Sequence, residues 1–109
     1  MTPETKEKIT QLQNLEQNIN QLIAQRQQFQ SQGIEIDNAL SQINDNKQVF
    51  RIIGNIMVAS EYNTVKKELD EKKEIIELRL KTIDKQENKL REKATSLQEE
   101  VMEEMKKSG

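Results

Sequence analysis

Apolar residues along the first third of this chain recur at alternating steps of three and four. From Leu12 the series continues through Leu15, Ile19, Leu22, Arg26, Phe29, Gly33, Ile36, Leu40 and Ile43. That spacing is a coiled-coil seam with two defects, Arg26 and Gly33. The intervening positions are mostly polar, as in QRQQFQSQ from Gln25 to Gln32. A helix packed into a globular core would show a broader apolar face. Thr2 is suited to cap the helix, Pro3 to its first turn and Glu4 to the positive end of its dipole. The pattern therefore predicts a helix over about 3–45. A glycine inside a helix costs about 1 kcal/mol against alanine. Gly33 has two readings at this point: a bend, or a small residue making room for Ile76 across the seam.

A second helix is predicted over about 61–107, its cap lying at Ser60-Glu61 or Asn63-Thr64. Leu69, Ile76, Ile83, Leu90 and Leu97 fall one every seven residues, accompanied by Lys66, Lys73, Leu80, Glu87, Ala94 and Val101. Ile75 and Leu78 lie outside this seam and are expected to cover something other than the partner helix. Each helix would be about 60–70 Å long at 1.5 Å per residue. If the chain folds back about its midpoint, residues whose numbers sum to 109 face each other. Leu12 then meets Leu97, Leu15 meets Ala94, Ile19 meets Leu90, Phe29 meets Leu80 and Leu40 meets Leu69. Arg26 lies opposite Ile83, one layer from Glu87, an apt partner for its charge. Two unrelated heptad series would align so about one time in seven, which supports an antiparallel pair.

Between the helices stands an island of a different kind, FRIIGNIMVA from Phe50 to Ala59. Its β-branched residues flank Gly54-Asn55, a two-residue hairpin loop in which Gly tolerates positive φ at the first position and Asn at the second. The predicted hairpin spans about 47–59 and pairs Ile53 with Ile56, Ile52 with Met57, Arg51 with Val58 and Phe50 with Ala59. One face carries Val49, Ile53, Ile56 and Val58, with Arg51 among them; the other carries Phe50, Ile52 and Met57. Hairpins with a solvated face alternate apolar and polar residues, and this one does not. A lone two-stranded hairpin is marginal and leaves two unpaired edges. Val49, Phe50, Ile52, Ile53, Ile56, Met57 and Val58 are therefore candidate oligomerisation residues.

Composition narrows the function classes. Of 109 residues, 33% are hydrophobic and 33% charged, too few apolar residues for an ordinary globular core. The net charge of -2 offers no electrostatic footprint for nucleic acid or an anionic membrane. With no Cys and no His, thiol chemistry, zinc fingers and the commonest general base are absent. There is no phosphate-binding glycine loop, and the carboxylates sit beside lysines on solvated helix positions. No enzymatic activity, cofactor or metal is expected. No apolar run approaches a membrane span and MTPETKEK is no signal peptide, so a cytoplasmic protein is expected.

Helix, single β-hairpin and helix, with the hairpin at the elbow of a coiled coil, resembles the beta class of prefoldin subunits in its archaeal form. The likeness rests on Val49 to Val58, on the charged run Val65 to Glu74, and on the Gln-rich stretch Gln11 to Gln28. It implies a mainly α fold in which hairpins assemble into an intersubunit β-barrel. It implies a hexamer of two alpha-type and four beta-type subunits. It implies an ATP-independent chaperone that binds unfolded polypeptides at its coiled-coil tips and delivers them to a group II chaperonin. The tips would be the chain ends, where Ile9, Met102 and Met105 lie outside the seam and Leu12, Leu15, Leu97 and Val101 complete it. These seven are candidate client-binding residues. The acidic pairs Glu99-Glu100 and Glu103-Glu104 are expected to form a solvated face. The rival reading is a structural or tethering coiled coil that oligomerises through its hairpin without binding unfolded chains.

Overall fold

A computed structural model describes residues 1–108. Its elements are α1 (Pro3–Gln42), β1 (Val49–Ile53), β2 (Ile56–Ser60) and α2 (Tyr62–Ser108). They divide into two compact units, each built from a stretch of both helices. The terminal unit comprises Met1–Gln27 and the residues from Lys81 onward; the hairpin unit is Gln28–Leu80.

Local signals set the element ends. Thr2 caps α1, its Oγ1 accepting the Thr5 amide at 3.1 Å, so one of the orphan donors of the first turn is satisfied. At the other end the Ile43 amide still reaches the Ala39 carbonyl, but Asn44 then takes over. Its side chain accepts the Asn46 amide at 3.0 Å and its carbonyl accepts the Lys47 amide at 3.1 Å. Asn competes in this way with the helical pattern, and α1 stops at Gln42. The first bond of α2 runs from the Val65 amide to the Glu61 carbonyl. This decides between the two caps in favour of Ser60-Glu61.

Antiparallel contacts between the helices recur in both units, and their residue numbers sum close to the expected 109. In the terminal unit Thr5 bonds Glu104, Lys8 pairs with Glu100 and Glu104, and Arg26 pairs with Glu87 and Asp84. In the hairpin unit Gly33 faces Ile76, Asp37 pairs with Lys73 at 2.8 Å, and the Arg79 guanidinium lies 5.7 Å from the centre of the Phe29 ring. Ile19, Ile83 and Val101 are buried in the first unit and Val49 and Ile76 in the second. Most other seam residues are half-buried. A helix pair gives each seam residue one neighbouring helix, so none of the described side chains reaches complete burial.

The hairpin pairs as the sequence predicts, with Ile53 on Ile56, Ile52 on Met57, Arg51 on Val58 and Phe50 on Ala59, and extends by Val49 on Ser60. Its turn differs in one respect. Gly54 takes φ of 61°, whereas Asn55 does not enter the positive-φ region. Glycine at the first central position alone is the signature of a type II′ turn, which matches the twist of its strands without asking Asn for a left-handed backbone.

At Gly33 the structure bears on one of the two readings, room for Ile76. A Cβ built there would meet Ile76 Cγ2 at 3.8 Å, an ordinary van der Waals distance. Close approach of the helices therefore does not require glycine at this position. The substitution Gly33→Ala should raise the thermal unfolding midpoint, by up to about 1 kcal/mol in stability. Circular dichroism melts of the two proteins test this; an equal or lower midpoint would show that the backbone here needs glycine.

Candidate interaction surfaces

In the hairpin unit the two faces of the sheet are not equivalent. Val49 is 6% exposed, and its same-face neighbour Arg51 reaches Glu68 of α2 at 2.6 Å. This face is therefore turned toward α2, which accounts for a cation among its aliphatic residues. Of the seven hairpin residues singled out above, Val49 is covered by its own chain. The other six are exposed: Phe50, Ile52 and Met57 on the outer face, Ile53 and Ile56 beside the turn, and Val58 least. Ile52 reaches 72% and Met57, its cross-strand partner, 65%. The sheet has two strands among the described residues, so each strand keeps one edge without a strand neighbour. Ile75 and Leu78 on α2 lie outside the seam and are also exposed.

In the terminal unit the seven candidate client-binding residues divide by depth. Met102 and Met105 are 56% and 49% exposed, and Met1 adds a third exposed methionine. Ile9, Leu12, Leu15 and Leu97 are half-buried, and Val101 is buried. Leu15 and Leu97 line a groove of about 700 Å³ between the helices, its walls formed by polar residues such as Asn14, Asn18, Lys93 and Ser96. The acidic pairs do not behave alike. Glu99, Glu100 and Glu103 are exposed, whereas Glu104 is half-buried and bonded to Thr5 and Lys8. Glu104 falls three residues after Val101, on the seam, so the solvated-face expectation fails for it. Continuing the seam past Val101 was the signal available in the sequence.

A family model described as "Prefoldin subunit" matches residues 6–108. The chain is 38% identical over 104 residues to prefoldin subunit beta of Sulfurisphaera tokodaii, covering 93% of this chain and 83% of that one. With prefoldin subunit beta of Archaeoglobus fulgidus the identity is 36%, covering 93% and 90%. The chain belongs to the prefoldin family. The crystal structure of the prefoldin beta subunit from Thermococcus strain KS-1 superposes with a TM-score of 0.85 at 28% identity, covering 94% of this chain and 92% of that one.

Prefoldin membership makes the chain a chaperone subunit that assembles with other prefoldin subunits, and the family is not one of known enzymes. No helix among the described residues is long and apolar enough to cross a membrane. The described carboxylates form no cluster able to hold a metal ion.

One charged network lies inside the seam of this prefoldin chain. Arg26 Nη1 bonds Glu87 Oε1 and lies 3.6 Å from Asp84, while Arg91 Nε donates to Glu87 Oε2 at 2.8 Å. Glu87 is 8% exposed, so both of its oxygens are held by cations where an aliphatic pair would otherwise sit. The Arg91 hydrogen bond first, and Arg26 after it, hold the Glu87 carboxyl below its ordinary 4.5 against the opposing effect of burial. Glu104 is likewise lowered, by Lys8 first and then Thr5. Lys8 is raised above 10.5 chiefly by its bond to Glu104, and Lys73 chiefly by Asp37.

The signs define a window. The two glutamates stabilise the fold above 4.5, their unfolded value, and that contribution is lost as pH falls through their lower folded values. The two lysines stabilise it below 10.5, and their contribution is lost as pH rises through their higher folded values. Thermal midpoints measured across pH should form a plateau between these limits and fall on both sides. On the plateau, Arg26→Leu should lower the midpoint by leaving Glu87 short of a partner. Arg26→Leu with Glu87→Leu should recover or exceed the original value, because an apolar layer replaces a desolvated ion pair.

Proposed function

We propose that this prefoldin chain is a beta-type subunit of an ATP-independent cytoplasmic chaperone. It assembles through its hairpin into a hexamer of two alpha-type and four beta-type subunits, the hairpins closing a β-barrel. The helix ends bind unfolded polypeptides, which the particle delivers to a group II chaperonin. The observation that carries this reading is the hairpin: Phe50, Ile52, Ile53, Ile56 and Met57 are exposed beside two unpaired strand edges. Such edges are ready to extend a sheet from another chain, and so much adjacent apolar surface is costly to leave in water. Arg51, paired with Glu68, anchors the hairpin to its own α2, Val49 is buried on the same face, and the outer face is left to the neighbour.

Client binding draws support from Met102 and Met105. Methionine is unbranched and polarizable, and adapts to many partner shapes. Weak contacts from several subunits of one particle then add through effective concentration. Ile9, Leu12, Leu15 and Leu97 supply further apolar surface alongside.

Two experiments separate assembly from binding. Ile52→Lys with Met57→Lys should dissociate the particle while circular dichroism still reports helix; native mass spectrometry giving an unchanged mass would refute barrel assembly. Removal of residues 1–10 and 100–109 should leave the particle intact and abolish suppression of aggregation of a denatured protein without nucleotide. Suppression that survives the trimming would refute binding at the ends. Assembly without an alpha-type partner and without affinity for unfolded chains would favour a structural tether instead.

A further inference from the structure

The outermost layer of the helix seam is polar, and the next sets Lys8 beside Val101. Stepping back from Leu12 by four and three reaches Lys8 and Thr5, and stepping on from Leu97 by four and three reaches Val101 and Glu104. Such positions ordinarily carry aliphatic residues. Here Thr5, 3% exposed, donates its hydroxyl to Glu104 Oε2 at 2.6 Å. Lys8 Nζ donates to the other oxygen at 2.5 Å and lies 3.5 Å from Glu100 Oε2. Thr2 Oγ1, the cap of α1, is 2.9 Å from the Thr5 hydroxyl. Val101 is buried, and Met102 and Met105 on the flanking positions of α2 are exposed.

We propose that Thr5, Lys8 and Glu104 form a clasp that regulates how much apolar surface the helix ends offer to unfolded polypeptides. The proposal rests on the reading that these ends bind such chains. Closed, the clasp holds the first turns of α1 against the last turns of α2 and keeps Val101 and the inner sides of Leu12 and Leu97 covered. Open, those residues join Met102 and Met105 in one apolar surface.

Polar chemistry suits a layer that must open repeatedly. Its hydrogen bonds exchange for bonds to water with little net change, whereas separating an aliphatic layer forfeits its burial outright. An arriving polypeptide also brings amide N–H groups and lysines, which can take the places of Thr5 and Lys8 on the Glu104 carboxylate. The groups facing that carboxylate are Thr5 and Lys8 from α1 and Lys107 from α2, while Glu100 competes for Lys8. Protonation of Glu104 removes its ionic bond to Lys8 while leaving an acceptor for Thr5, so acid loosens the clasp.

The test is hydrogen–deuterium exchange of the intact chain, with capture of a denatured reporter protein measured in parallel. Glu104→Ala should speed amide exchange in the first and last turns about tenfold, with exchange around Phe29–Ile43 unchanged. Replacing Thr5, Lys8 and Glu104 together by Leu should slow it. Capture should rise at least about twofold in the first variant and fall in the second. Glu104→Gln, which keeps the shape and one acceptor, should lie between wild type and Glu104→Ala and should lose the acid-induced fall in protection, measured relative to the intrinsic amide exchange rate at each pH. Equal exchange at the ends of all these proteins would overturn the clasp, and altered exchange with unaltered capture would overturn its regulatory role. A wild-type chain that captures no reporter would remove the client-binding reading and with it the regulatory role. The exchange comparison would still decide whether the clasp holds the ends closed.

Discussion

Each seam residue in this molecule has one neighbouring helix to hide against, and everything else in the structure is arranged around that limit. A two-helix layer cannot enclose a core, so the side chains it covers best are those in strict register. The two-residue turn at Gly54-Asn55 supplies the register. Ile53 pairs with Ile56, and within each unit the cross-helix partners likewise have residue numbers summing near 109. Glycine at positive φ permits the two-residue turn that fixes the strand pairing.

The same limit explains why polar groups are tolerated in the seam. In a globular core the Glu87 carboxylate would face apolar neighbours on every side. Here it lies at a helix pair whose flanks admit long side chains, and Arg26 from α1 and Arg91 from its own helix reach both oxygens. Thr5, Lys8 and Glu104 repeat the solution at the helix ends. The fold thus keeps its apolar surface for places where it is not consumed internally: the outer face and turn of the hairpin, and the methionines near the helix ends.

Much of this was legible in the sequence because heptad spacing and strand pairing are arithmetic properties of a chain. The seam from Leu12 to Ile43, the series from Leu69 to Leu97, the hairpin pairs and the Arg26–Glu87 partnership all follow from counting. What counting missed was direction and depth. Val49 and Ile52 look equivalent as aliphatic hairpin residues, yet one is buried and the other exposed. The face they occupy relative to α2 depends on how the hairpin leans, and Arg51 bonding Glu68 records that lean. Glu104 looked solvated because it stands in an acidic run, and composition outweighed its place on the seam. Asn55 was expected to share the positive φ of Gly54, but the type II′ turn leaves it on the ordinary side.

By itself, then, the sequence determined the element order, the antiparallel register and the residues able to meet across the seam, since periodicity and a central turn suffice for these. Only the tertiary structure decided which of the apolar residues stay exposed and which polar ones are drawn inward. Burial depends on the distance and orientation between elements far apart in the chain, and a one-dimensional pattern carries neither. Val101 under its polar layer and Ile52 on the open sheet are both aliphatic residues in regular patterns. The neighbours assembled around each in space make one covered and the other available.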